Sequence, residues 1–244
     1  MEKVSIENLT RKPSWLMFLT EIFRTVVDIF RGLFFKYSRR FERTVQNSPV
    51  LVIPGFLGSD LSTSFLRKHL SDLGYQVYGW GLGRNLADLD NLPILANKIE
   101  EIYQKHQQKV TLIGWSLGGV YARELAKQNP VFVEQIITLG SPFRNLEAPN
   151  HARWIFDLLG KSTPSPEFLS NVCQCAPLPT TAIYTKQDGV VSWAVCMEDE
   201  DELHQNYEVW GSHCGLIYNP QVLQILEHQL KAPHNAPVVQ MMRV

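Results

Sequence analysis

The run Gly114-Trp115-Ser116-Leu117-Gly118 sets one serine between two glycines, each two positions away. That spacing suits a nucleophile held on a sharp strand-to-helix turn. By itself it says little. With Gly and Ser each near 7% of residues, roughly one chain of this length in twelve carries it by chance. Its setting strengthens it, because residues 110–113 read as a buried strand and residues 117–128 as a helix closed before Pro130. A turn that tight forces its central residue into a strained backbone and crowds the neighbours, and glycine at the flanking positions relieves the crowding. Gly119 is one more small residue for close helix–strand approach.

A serine hydroxyl is a weak nucleophile at neutral pH and needs an adjacent base oriented by an acid. His213 fits the base. It lies in Gly211-Ser212-His213-Cys214-Gly215, just beyond a predicted strand at 207–210. Asp188 fits the acid, in the loop 186–191 after a predicted strand at 181–185. The chain order Ser, Asp, His is the order that goes with a serine at such a turn. The remaining histidines are worse placed: His69, His106 and His228 on predicted helices, His151 in a proline-rich stretch, His204 among acidic residues and His234 in the tail. Acyl transfer also needs N–H donors aimed at the oxyanion. Leu117, after the serine, supplies one, and Phe56 in Pro54-Gly55-Phe56-Leu57-Gly58 is the expected second.

These elements, with Leu139-Gly140-Ser141-Pro142 and Ser212-His213-Cys214-Gly215-Leu216, resemble the α/β-hydrolase superfamily over residues 49–230, and within it the lipase/esterase branch. The resemblance implies a Ser116–His213–Asp188 triad, ester hydrolysis through an acyl-enzyme, and no metal or other cofactor. Two positions depart from the common pattern. Pro54 stands where many relatives have His, and Trp115 precedes the serine where His is frequent; neither removes a reacting group. Gly79-Trp80-Gly81-Leu82-Gly83-Arg84-Asn85 is similar to a stretch that lies near the pocket in lipase-like members. Leu57, Arg84, Asn85, Trp115 and Trp154 are therefore the expected substrate contacts.

The elements that must position these groups follow from hydrophobic patterning. Residues 49–53 form a short apolar run ending at Pro54-Gly55, as a buried strand does. Helices are predicted at 63–73, 88–106, 117–128 and 220–230, and further strands at 75–79, 110–113, 135–139, 181–185 and 207–210. Strands alternating with helices mean an α/β fold, a mostly parallel sheet covered on both faces. The expected organisation is an amphipathic helical segment (1–45), a hydrolase domain (46–232) and a tail (233–244). Within the domain, residues 143–179 carry five prolines and are too long for an ordinary connection, so they are expected to act as a lid. Apolar residues around Trp154, Ile155, Phe156, Leu158 and Leu159 would then cover an acyl chain.

Residues 15–35 are rich in Leu, Ile, Val and Phe but contain Glu21, Arg24, Asp28 and Arg31. Four charges make a membrane-spanning helix costly. At helical period Ser14, Glu21, Arg24, Thr25, Asp28 and Arg31 form one polar stripe, and Arg11, Lys12, Lys36, Arg39, Arg40 and Arg43 flank the segment. Two placements are open: in a membrane surface with the apolar face down and the basic flanks near anionic headgroups, or packed on the domain or another subunit.

The whole chain of 244 residues is nearly neutral, at −1, with 45% hydrophobic and 19% charged residues. That excludes a disordered chain and argues against nucleic acid as partner, which calls for a basic excess. Cys173, Cys175, Cys196 and Cys214 are too sparse for a disulfide scaffold, and the one-residue gap of the first two is not that of common zinc pairs. Free thiols and no secretory signal at the start point to the cytoplasmic side, either dissolved or peripheral on a membrane. The expected activity is hydrolysis of lipidic carboxylic esters. An acyltransferase with an alcohol or amine acceptor, a thioesterase or peptidase with the same constellation, and an idle membrane or scaffold module are the alternatives.

Overall fold

The structure is a computed structural model that describes residues 12–38, 48–152 and 164–231. Two short helical pieces come first, α1 (Trp15–Leu19) and α2 (Glu21–Ser38). The single helix expected at 15–35 breaks at Thr20, whose hydroxyl bonds back to the Leu16 carbonyl at 2.7 Å. There follow β1 (Pro49–Ile53), α3 (Ser64–Asp72), β2 (Gln76–Gly79), α4 (Asn91–His106), β3 (Val110–Trp115), α5 (Leu117–Gln128), β4 (Val133–Leu139), α6 (Pro166–Val172), β5 (Thr180–Tyr184), β6 (His204–Glu208) and α7 (Pro220–Gln229).

The six strands make one sheet in the order β2-β1-β3-β4-β5-β6, and every neighbouring pair is parallel. Parallel strands need crossovers, and helices cover both faces as a result. Alternation along β1 shows the division. Val50 and Val52 join Leu66, Leu70, Val222 and Leu226 on the α3/α7 face. Leu51 and Ile53 join Leu95, Ile99, Leu112 and Leu125 on the α4/α5 face. The chain leaves β1 toward one face and β3 toward the other, so a crevice opens beyond their carboxyl ends, where α/β sheets bind ligands.

One strand departs from the expectation. The apolar Val209-Trp210 suggests a strand at 207–210, whereas β6 pairs Thr180 with His204 and Tyr184 with Glu208. It is the sheet's edge, so polar residues are tolerated on its open side. His204 belongs to this strand and not to a loop. It is buried, with Nε2 2.9 Å from the Ala176 carbonyl and Nδ1 2.7 Å from Asp201.

The polar stripe of α2 faces inward. Glu21 and Asp28 are 5% and 2% exposed, whereas Ile22 and Phe34 on the opposite side are 80% and 75% exposed. The helix reaches the domain closely at Gly32, where a Cβ would come 2.1 Å from the Tyr218 carbonyl oxygen. Of the basic flanks, Lys36 pairs with Asp72 at 2.9 Å and Lys12 lies 5.2 Å over the Trp15 ring. Arg11, Arg39, Arg40 and Arg43, residues 153–163 of the expected lid and the expected tail 233–244 lie outside the described residues.

Candidate active site

Ser116 follows β3 and precedes α5, with φ 54° and ψ −124°. Its backbone is in the strained region that such a turn demands. The flanking glycines are required by space: a Cβ on Gly114 would sit 2.3 Å from the Gly119 backbone, and one on Gly118 2.2 Å from the Ile53 carbonyl oxygen. Leu117 is the first residue of α5, so its N–H has no carbonyl partner one turn back and adds to the positive helix end.

Asp188 lies in the loop after β5 and His213 in the loop after β6. The His213 ring bridges the two groups, with Nδ1 2.6 Å from Asp188 Oδ2 and Nε2 3.0 Å from Ser116 Oγ. Asp188 and His213 are both buried. The other Asp188 oxygen accepts from the Val190 and Val191 N–H groups, each at 2.8 Å, which fixes the carboxylate plane. Burial pushes the His213 ring toward its neutral form. The Asp188 charge and hydrogen bond, with the Glu21 charge behind them, outweigh that and hold its pKa above the ordinary histidine value. The arrangement can take a proton from Ser116 Oγ and stabilise the imidazolium that results. Cys214 is no rival nucleophile, since burial first, and then the charges of Glu21 and Asp188, push its thiol up to about 12.

The loop after β1 meets the serine from the other side. Gly55 brings its backbone against Ser116, where a Cβ would come 2.9 Å from the serine Cβ. Asn85 is fully buried and latches this loop. Its Nδ2 donates to the Pro54 carbonyl at 2.9 Å, its N–H to Gly58 O at 2.8 Å, and its carbonyl accepts the Leu57 N–H at 2.7 Å. Leu57 has φ 60°, a conformation a branched side chain rarely takes.

A cavity of about 490 Å³ opens over Ser116. Its lining includes Phe56, Leu117, Val120 and Tyr121, together with Leu146, Ala152, Phe168 and Leu169 of the 143–179 excursion. Leu57, Arg84, Asn85 and Trp115 are not among its described lining residues. Arg84 is exposed. Trp115 instead donates its indole N–H to the His213 carbonyl at 3.1 Å and stands behind that ring. Trp154 lies outside the described residues. Phe168 and Leu169 escaped the sequence reading because α6 is short and its neighbourhood reads as proline-rich loop. Glu21 and Asp28 reach the loops of Asp188 and His213, and their presence in an otherwise apolar run was the available signal.

One group of metal-type side chains occurs among the described residues: Cys175, Glu198 and His204 have ligand atoms within 4.8 Å of one another. Glu198 is paired with Arg123, and both ring nitrogens of His204 face oxygen acceptors. That donor set is committed to a buried ion pair and hydrogen bonds, a poor fit to a cation.

Known structures share this architecture. The mature-form lipase BlEst2 of Bacillus licheniformis has a TM-score of 0.59 at 17% identity, over 79% of this chain and 96% of that one. The carboxylesterase NP (naproxen esterase) of Bacillus subtilis has 0.53 at 14%, over 86% and 98%. Lipase B of Aspergillus fumigatus has 0.57 at 20%, over 72% of this chain and half of that one. The chain has an α/β-hydrolase fold. A family model described as a PGAP1-like alpha/beta domain matches residues 80–159, a stretch of the hydrolase fold that contains the Ser116 turn. No curated protein matches the chain in sequence. No described helix is long and apolar enough to cross a membrane.

Proposed function

We propose that the protein is a serine hydrolase that cleaves carboxylic esters of lipidic acyl chains. The observation that carries this is the unbroken hydrogen-bonded line from Asp188 through His213 to Ser116 Oγ, ending in a cavity walled mainly by apolar side chains. Ser116 Oγ attacks the acyl carbonyl as His213 Nε2 takes its proton. Asp188 keeps Nδ1 protonated and balances the imidazolium. The N–H groups of Phe56 and Leu117 receive the oxyanion, an effect of about 3–4 kcal/mol for one such donor. His213 returns the proton to the leaving alcohol, then activates water to release the acid. Leu146, Ala152, Phe168 and Leu169 of the 143–179 excursion line the space for the acyl chain, and no cofactor takes part.

The outer face of α1 and α2 is the surface for the lipid itself. Trp15, Leu16, Leu19, Ile22, Phe23, Phe30, Phe34 and Tyr37 are all exposed. In the sequence Arg11 and Lys12 precede α1, and Lys36, which pairs with Asp72, and Arg39, Arg40 and Arg43 follow the apolar run. An apolar face with cationic ends suits an anionic bilayer surface. Trp15 and Phe18 also pack on the His151 ring, at 4.5 and 4.4 Å between centroids. His151 sits between Asn150 and Ala152 of the cavity wall, so a bilayer under α1 would lie beside the cavity.

Release of p-nitrophenol from esters of increasing chain length, by wild type and Ser116→Ala, tests the enzymatic part. Activity that is lost in the variant and rises with chain length supports the reading. Equal rates in two folded proteins would refute it and favour an idle module. Acyl transfer to an added alcohol, exceeding hydrolysis, would replace hydrolase by acyltransferase. Co-sedimentation with vesicles of anionic phospholipid tests the surface, and binding no stronger than to zwitterionic vesicles would sink that part.

A further inference from the structure

Glu21 and Asp28 are seven residues apart on α2, two helical turns, and so leave the helix on one face. The loops that carry Asp188 and His213 offer their backbone N–H groups to that face. Cys214 donates to Glu21 Oε1 at 2.9 Å and Gly189 to Glu21 Oε2 at 3.3 Å. Ser212 donates to Asp28 Oδ2 from both its N–H and its hydroxyl, each at 2.8 Å. The gripped residues are the immediate neighbours of Asp188 and, on both sides, of His213. Arg24 adds a tie, with Nη2 2.8 Å from Glu21 Oε2 and Nη1 donating to the Gln187 carbonyl at 2.7 Å. Glycine lets the loops come this near: a Cβ would meet Met17 O at 2.5 Å from Gly189, and Asp28 Oδ2 at 2.2 Å from Gly215.

We propose that Glu21 and Asp28 are positioning residues of the active site, with α2 locking the Asp188 and His213 loops to each other and Glu21 placing a second negative charge behind the His213 imidazolium. This rests on the reading of Ser116, His213 and Asp188 as the reacting groups. A misplacement of about 1 Å can cost about 100-fold in rate. The two loops meet directly where Thr185 Oγ1 donates to the Gly211 carbonyl at 3.0 Å and the Gly211 N–H donates to Gln187 Oε1 at 3.2 Å. To these α2 adds the grips on Gly189, Ser212 and Cys214, beside the reacting groups themselves. Asp188 from the loop after β5, Ser116 from the turn after β3 and the Trp115 ring lie against His213, and Glu21 from α2 acts on it through its charge. Among these, Asp188 and Glu21 are the charges that favour the imidazolium. Burial first, and then the Asp188 charge, hold the Glu21 carboxyl itself above the usual carboxylate range, against the opposing pull of the Cys214 N–H, His213 and Arg24.

The test uses Glu21→Gln and Asp28→Asn in the full chain. Each keeps the side-chain size and one acceptor oxygen, so both variants are expected to fold. For Glu21→Gln, kcat falls about tenfold to 100-fold with KM within about twofold. The acid limb of kcat/KM also moves to lower pH, because losing the anion makes the imidazolium less favourable. Asp28→Asn lowers kcat with the same KM signature. NMR titration of the His213 ring in wild type and Glu21→Gln reads the charge effect without substrate, and the midpoint is expected to fall in the variant. If wild type cleaves none of the esters, the reading of the site falls and the positioning role with it, whereas the NMR titration still decides whether Glu21 supplies charge to His213. Unchanged kcat, pH profile and His213 titration in folded variants would overturn it. So would failure of both variants to fold, which would make α2 a support of the whole domain and not of these loops.

Discussion

α5 and α2 carry their apolar residues on opposite sides. Ala122, Leu125 and Ala126 of α5 are buried against the sheet, and Arg123 and Glu124, also buried, pair with Glu198 and Lys127. On α2 the buried positions are Glu21, Asp28 and Gly32, and the phenylalanines Phe23, Phe30 and Phe34 look outward. Both helices are amphipathic, so periodicity finds a stripe in each. What decides which stripe turns inward is the surface waiting for it. Under α5 lies an apolar sheet face. Under α2 lie two loop ends whose backbone N–H groups need acceptors, and leaving these buried and unpaired would cost about 1–3 kcal/mol each.

The contrast can be broken from the chemical end first. Ser116 heads α5, and Ser116→Ala is expected to lower kcat by roughly 10⁴–10⁶-fold while the melting temperature stays near wild type; ester hydrolysis beside a thermal melt checks both. The next largest effect is on stability. Leu125→Ala should cost about 2–5 kcal/mol in denaturant unfolding, because the site is fully buried and cannot collapse freely. On α2 the costly change is of a polar residue: Asp28→Ala leaves the Ser212 N–H unpaired and its hydroxyl with Thr25 alone, and should cost about 1–3 kcal/mol by the same measurement. The pH profile separates the helices more finely. His213 must be neutral to act as base, and its pKa is held above 6.5, so kcat/KM should fall on acidification with a midpoint above that value. The smallest effect belongs to the outer face. Phe30→Ser should change unfolding free energy by no more than about 0.5 kcal/mol, yet weaken co-sedimentation with anionic vesicles.

Much of the fold could be read before any coordinates, because buried parallel strands such as Val50–Val52 and Leu112–Ile113 are short apolar runs closed by glycine or proline. The turn at Ser116 was legible for the same reason, since a steric demand leaves glycine at fixed spacing. The bounds of β6 were not, because His204, Gln205 and Asn206 occupy an edge where polar residues cost little. Nor was the latch at Asn85, whose three hydrogen bonds to residues 54–58 depend on a chain crossing that periodicity does not encode. The orientation of α2 escaped for a related reason: Glu21 and Asp28 find their acceptor role only against residues at 189 and 212–214. Four charges in an apolar helix read equally well as a solvent stripe.

The separation between Glu21 and Cys214 has a bearing on how the molecule is made. The bond between them spans 193 positions, and that between Asp28 and Ser212 spans 184. During synthesis α2 leaves the ribosome before any strand of the sheet, yet Glu21 and Asp28 lack their loop partners until β6 and the loop after it have emerged. Closing contacts this distant is slow, since the loop entropy is lost before the contacts form. Until then both faces of α2 are uncovered, one greasy and one charged, while the serine turn between β3 and α5 forms from local contacts. The proposed nucleophile is thus built early and its proposed base is set late, so an unfinished chain carries Ser116 without the groups proposed to make it reactive.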